Sequence, residues 1–181
     1  MRHTRRLLFH VVMLGLLLPL TGCGYSLAGR GSFLPEYIKV IGVPTFVNDT
    51  PVYDVERRLT ERVRSEFIGR GKYKVLPEGT GVDALLSGEI TSITLTPAAF
   101  TDQRQASRYV LTVTARIEFK DVKTGKVLWS NGAMQFREEY DISSNSTTPD
   151  ATTFFGQDAN ALDRVAQEFA RAIVSAILEA F

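Results

Sequence analysis

The chain has 181 residues, 44% hydrophobic and 23% charged, with 21 Lys plus Arg against 20 Asp plus Glu. That near-neutral balance argues against a nucleic-acid partner, and a single cysteine, Cys23, allows no intramolecular disulfide. The two histidines, His3 and His10, both stand at the very start, so the rest of the chain lacks the commonest general base and zinc ligand, and no catalytic residue, metal or cofactor is expected.

Arg2, Arg5 and Arg6 precede an apolar run from Leu7 to Leu20, broken only by His10, Gly15 and Pro19, and then comes Leu20-Thr21-Gly22-Cys23. A basic start, an apolar stretch short for a membrane span and small residues before a cysteine make residues 1–22 a lipoprotein signal peptide, expected to be removed. Cys23 is then the lipidated first residue of the mature chain. Gly24, rather than an aspartate, follows it, so the expected destination is the periplasmic side of the outer membrane, with more than one acyl chain giving a stable anchor. Removing 22 of 181 residues leaves 159, enough for one domain, and takes three arginines, leaving 18 basic against 20 acidic residues.

Residues 23–37 read as a short tether and 38–181 as a single domain. Ile38 to Phe46 is patterned as a buried strand with Pro44 near its end. Thr50 and Pro51 suit the cap and first turn of a helix whose apolar stripe is Val52, Val55, Leu59, Val63 and Phe67, ended by Gly69 and Gly71. A short strand, 72–76, closes at Pro77 and the Gly79-Thr80-Gly81 turn. A longer strand opens at Asp83 and runs to about Thr96. Residues 97–107 show no periodicity and read as a loop. Tyr109, Leu111, Val113, Ala115, Ile117 and Phe119 then alternate strictly with polar residues, the mark of a half-buried strand. Gly125 fits a tight turn from 121 to 126, and a returning strand runs from Val127 to Tyr140, with a bulge at Gly132. Residues 141–157 are rich in Ser and Thr. Leu162, Val165, Ala166, Phe169, Ile173, Ala176, Ile177 and Ala180 form the stripe of a final helix that begins near Asp158 or Asn160. The implied class is α+β: a mixed four- or five-stranded sheet with two amphipathic helices packed on one face, and the first strand parallel to a later one.

Cys23-Gly24-Tyr25-Ser26-Leu27, Val43-Pro44-Thr45-Phe46-Val47-Asn48-Asp49-Thr50 and Asp83-Ala84-Leu85-Leu86-Ser87-Gly88-Glu89-Ile90, followed by the alternating strand, the Gly125 turn and the closing helix, resemble the LptE family across the mature chain. That resemblance implies a non-enzymatic lipoprotein that plugs the lumen of the LptD outer-membrane β-barrel, assists its assembly and contacts lipopolysaccharide during transfer. A large barrel leaves an aqueous lumen that a polar-surfaced domain can fill.

If lipopolysaccharide touches the domain, its phosphates suit Arg104 and Arg108 and its acyl chains suit Phe100, with Arg116 a second basic candidate; no family contact is carried to a position by motif. Met134-Gln135-Phe136 supplies no lysine on the returning strand. The competing reading of the 97–108 segment is a solvated tip. Trp129 reads as core or interface packing. Glu138 and Glu139 point to opposite faces of a strand, which removes them as a glycosidase pair. Gly29-Arg30-Gly31 and Gly79-Thr80-Gly81 lack a strand-loop-helix context and read as turns. Two other functions compete: activation of a periplasmic peptidoglycan synthase, and a pore-forming lipoprotein subunit. The latter needs long amphipathic hairpins with no core-facing side. The former needs a long tether, whereas 15 residues from Cys23 to Ile38 reach about 50 Å at most, which favours a partner in the same membrane.

Overall fold

The computed structural model describes residues 34–70, 72–102, 106–141, 150–157 and 159–180, and the chain divides into residues 1–31 and 32–181. The expected signal peptide over residues 1–22, Cys23, Gly29-Arg30-Gly31, Gly71, Arg104 and Asp158 lie outside the described residues.

The order is β1 (Val40–Gly42), β2 (Val47–Asn48), α1 (Val55–Gly69), β3 (Lys74–Leu76), β4 (Ala84–Phe100), β5 (Ala106–Asp121), β6 (Val127–Asp141), α2 (Ala151–Gln157) and α3 (Ala159–Leu178). The sheet runs β3-β1-β4-β5-β6, with two-residue β2 also on β4. β1 is parallel to both β3 and β4, as the crossover through α1 requires, while β4, β5 and β6 form an antiparallel meander. The sheet is mixed and open with helices beside it, as expected; the additions to the expected pattern are β2, split from β1 around Pro44, and the short helix α2.

The alternating stripe of β5 is buried from Tyr109 to Phe119, and the stripes of α1 and α3 lie in the same core. Phe67 of α1 stacks on Phe119 at 6.4 Å between centroids, and Phe169 of α3 meets Phe136 of β6 at 5.9 Å. Parallel to each other, the helices are joined through Arg58–Asp163 near their starts and Arg70–Ser175 near their ends, at 2.9 and 2.8 Å. β4 keeps register with β5 by a bulge between Ile90 and Ser92. Ile90 pairs with Ala115 and Ile93 with Val113, so one extra residue lets both isoleucines face the core. A second bulge lies where Gly132 was expected to mark one, between the Ala115–Met134 and Ile117–Asn131 pairs. Trp129 pairs across from Phe119 and packs, half-buried, against the core.

Three local readings change. Thr50 and Pro51 do not start α1. Asn48 accepts the Thr50 amide and hydroxyl at 2.9 and 2.7 Å and donates to the Val52 carbonyl and Glu56 carboxylate, holding a turn that delays the helix to Val55. Asp54 precedes the helix with φ 69°, its carboxylate held by Arg57 and Arg58. The segment from 97 to 108 is mostly strand: β4 continues to Phe100 and β5 begins at Ala106, because cross-strand pairing extends past the last strongly apolar residue. Asp150 caps α2 through the Thr153 amide at 2.7 Å, and α2 buries Phe154 and Phe155 in a stretch that composition marks as polar. Tyr140 meets Phe154 edge-on at 5.0 Å.

Residues 34–37, read as the end of the tether, are fastened to the fold. Leu34 and Ile38 are buried, and the Tyr37 hydroxyl donates to Asp121. Asp121 also accepts the Lys123 and Thr124 amides at 2.8 and 3.2 Å and the Thr124 hydroxyl at 2.7 Å, closing the β5–β6 turn in which Gly125 has φ 73°. Asp83 does the same for β1, accepting the Lys39 and Val40 amides at 2.9 and 2.8 Å, while its carbonyl takes the Val122 amide at 2.9 Å.

Chiefly through the Tyr37 hydrogen bond, and then those from Thr124, the Asp121 carboxyl falls from 3.8 to about 2. A depressed folded-state value contributes stability that is present above about pH 4 and lost as pH falls towards 2. Tyr37→Phe is therefore expected to move the acid-unfolding midpoint to higher pH, followed by circular dichroism; superimposed acid curves would contradict this.

Gly88 is required for a different reason: a Cβ there would sit 2.6 Å from the Phe46 ring, whereas one at Gly132 meets nothing within 4 Å. Gly88→Ala should cost about 1–3 kcal/mol in urea unfolding, and Gly132→Ala under about 1 kcal/mol.

Candidate functional site

Both long helices lie on one face of the sheet, so the opposite face of β4, β5 and β6 has no element over it among the described residues. Period-two alternation fills it with polar side chains. Cross-strand rows on it are Ser92–Thr114–Gln135, Thr94–Thr112–Arg137 and Thr96–Val110–Glu139, with Glu89–Arg116 towards one end and Arg108–Asp141 towards the other.

The candidates fall along this surface. Phe100 ends β4 and is 63% exposed. Ala99 pairs with Arg108 and Phe100 with Ala106, so both candidates stand near the β4–β5 tip without a contact between them being fixed by the register. Arg108 is engaged, donating to Asp141 at 2.9 Å and Glu139 at 3.4 Å; these carboxylates hold its guanidinium above its usual range. Arg116 is eight residues along β5, about 27 Å away, and pairs with Glu89. The structure therefore brings Phe100 and Arg108 to the same end of the β4–β5 pair, sets Arg116 apart, and leaves Arg104 outside the described residues.

Arg137 is the basic residue that sequence reading passed over. It stands opposite Thr112, midway between Arg108 and Arg116, about 13 Å along the strand from each. Its partner is the Gln135 side-chain oxygen at 2.7 Å rather than a carboxylate. The signal was present in β6, where Gln135, Arg137, Glu139 and Asp141 alternate with Met134, Phe136 and Tyr140. With Arg108, Arg116 and Arg137 set against Glu89, Glu139 and Asp141, the face is balanced in charge and rich in threonine hydroxyls. It can offer hydrogen bonds along an extended polar ligand or wall, and guanidinium groups where a phosphate displaces a carboxylate.

Glu138 and Glu139 do point apart: Glu139 reaches Arg108 on the open face, while Glu138 is half-buried on the other side. Between α1 and α3 lies a polar cleft of about 280 Å³ lined by Arg57, Arg58, Glu61, Arg62, Ser65 and Asp163. Its arginines are satisfied by Asp54, Glu61 and Asp163, which makes it a helix-to-helix ion network. Among the described residues no group of His, Cys, Asp and Glu is placed to hold a metal, and no helix is long and apolar enough to cross a membrane.

A family model described as LptE, lipopolysaccharide assembly, matches residues 38–177. No curated protein matches the sequence significantly. Solved structures with a related course include the rare lipoprotein B from Shewanella oneidensis, at 12% identity over 78% of this chain and 92% of that one, TM-score 0.45. A PelC dodecamer from Paraburkholderia phytofirmans matches at 19% identity over 80% and 90%, TM-score 0.46. A lipoprotein from Neisseria meningitidis matches at 19% identity over 73% and 98%, TM-score 0.42. At these TM-scores the structural likenesses decide nothing about this chain.

Because the Arg116–Glu89 pair is solvent-facing, with Arg116 59% exposed, Arg116→Ala should change the unfolding free energy by less than about 1 kcal/mol, measured by urea denaturation. A larger loss would make the pair a stability element.

Proposed function

The chain belongs to the LptE lipopolysaccharide-assembly family, and from that membership we propose that it is an outer-membrane lipoprotein, acylated at Cys23, that works with the LptD β-barrel. In this reading it is not an enzyme. It fills part of the barrel lumen, assists barrel assembly and lies along the route of lipopolysaccharide. The observation that carries the proposal is the family match over residues 38–177. The physical support is the open sheet face: rigid, hydroxyl-rich and balanced in charge, it suits an aqueous barrel wall better than an apolar groove would. Exposed Phe100 and Arg108 both stand near its tip, the residue types that acyl chains and phosphates call for. The peptidoglycan-synthase reading loses support from the structure of residues 34–37, since packing them shortens a tether that was already short.

Detergent extraction of the tagged, lipidated chain is expected to bring down a large β-barrel in near-stoichiometric yield. Recovery of a penicillin-binding protein instead would transfer the proposal to synthase activation. For ligand handling, Arg104→Gln with Arg108→Gln is preferred to charge reversal, because Asp141 and Glu139 already flank Arg108. This double variant should retain less labelled lipopolysaccharide in a pull-down while its thermal midpoint and barrel co-purification stay nearly unchanged, and moderate salt should mimic part of the loss. Equal retention by variant and wild type would reduce the role to plug and assembly factor.

A further inference from the structure

All six lysines of the chain, Lys39, Lys72, Lys74, Lys120, Lys123 and Lys126, gather at one end of the sheet although they come from separate segments. The Lys39 carbonyl accepts the Lys74 amide at 2.9 Å as β1 and β3 begin, and Lys72 leads into the same strand. Lys120 pairs with Leu85 and Val127, while Lys123 and Lys126 stand in the β5–β6 turn. Five of the six are exposed and Lys120 is half-buried. None forms an ion pair among the described residues, in contrast to Arg57, Arg58, Arg108 and Arg116.

The acids at this end are fewer in the open: Asp83, with Lys123 facing it, and Asp121 point onto backbone amides and the Tyr37 hydroxyl, Glu66 is matched by Arg70, and Glu36, Glu118 and Glu179 are exposed, against five exposed lysines. Four of the seven exposed large apolar side chains among the described residues stand here as well: Tyr37, Ile68, Val122 and Val127, with Lys123 lying 5.4 Å over the Tyr37 ring. This is also where the chain enters the fold. Leu34 is buried, Tyr37 is tied to Asp121, and the 11 steps from Cys23 to Leu34 span at most about 38 Å. Phe100 lies at the other end of a 17-residue strand, about 55 Å away.

We propose that this end of the domain is a membrane contact surface, its lysines meeting the phosphates of anionic phospholipid headgroups and Tyr37, Val122 and Val127 resting against the interfacial layer. The proposal rests on the Cys23 anchor reading and deepens it: the acyl chains supply attachment and the lysines supply orientation, with the β4–β5 tip held away from that leaflet. Unpaired lysines on flexible stems suit a fluid array of phosphates better than one fixed ligand, which would call for preorganised guanidinium groups.

The test uses the full acylated chain in phosphatidylcholine vesicles with and without phosphatidylglycerol. An environment-sensitive label is placed at Val122→Cys or, separately, at Phe100→Cys, and quenched by headgroup-labelled lipid. Quenching is expected to be severalfold stronger at 122 than at 100, to require phosphatidylglycerol, and to fall with salt or with Lys72→Gln, Lys74→Gln and Lys126→Gln combined, at unchanged thermal midpoint. Equal quenching at both positions, or quenching indifferent to lipid charge and to the lysines, would overturn the proposal. So would protection of position 122 that appears only with a co-extracted acidic protein. Intact mass reports acylation independently. An unacylated chain refutes the anchor, and its flotation with phosphatidylglycerol vesicles, kept or lost when the lysines are neutralised, still decides the surface.

Discussion

The structure depends on burial of one face of β5. Tyr109, Leu111, Val113, Ala115, Ile117 and Phe119 are all nearly inaccessible, flanked by β4 and β6 and covered by α1 and α3. Removing such a stripe from water is the largest favourable contribution available to a chain with no disulfide within it. Other features follow as conditions for keeping the stripe covered. The bulge in β4 returns Ile93 to the inner face after Ile90, and the bulge in β6 lets Met134, Phe136 and Tyr140 line up with Ala115, Val113 and Tyr109. Gly88 leaves room for Phe46 against the sheet. The Thr60 hydroxyl, fully buried, donates to the Glu56 carbonyl and accepts the Phe46 amide, so the turn after β1 is satisfied where water cannot reach it.

Covering one face leaves the other open, and the two faces differ in chemistry. The open face holds Arg108 and Arg116 in cross-strand pairs and Arg137 on Gln135 of its own strand, with threonines between them, which makes it a polar surface. At the tip, where strand pairing outlasts the core, Phe100 projects with little behind it. At the opposite end the charge is of another kind: lysines that form no ion pair among the described residues, around the point where residues 34–37 enter the fold. A domain with chemically different ends has a built-in direction, which the proposed role as a barrel plug would use.

β6 is an outer strand of 15 residues, long enough to invite pairing with another chain. Two features restrain it. The Gly132–Ala133 bulge breaks its flatness, and Arg137, Glu139 and Asp141 place charge along its outer half. These features work against edge-to-edge pairing with another chain.

The sequence by itself determined the class, the sheet's inner stripe, both helix stripes, the Gly125 turn and the Gly132 bulge. Each rests on a periodicity or a φ requirement that a short window of residues expresses, as the alternation from Tyr109 to Phe119 does. The family was legible because several such segments occur in one order. Local pattern misplaced the start of α1, since the Asn48 side chain, and not the Thr50–Pro51 pair, decides where the turn ends. It missed α2 because two phenylalanines among Ser and Thr have no period until Tyr140 is folded against them. It took 97–108 for a loop because strand pairing there is set by the partner strand and not by apolar alternation. Arg137 and the lysine end were hidden for the same reason. Residues from β1, β3 and the β5–β6 turn become one surface only when parallel and antiparallel pairing bring their ends together, and register across strands is a tertiary property that no single segment carries.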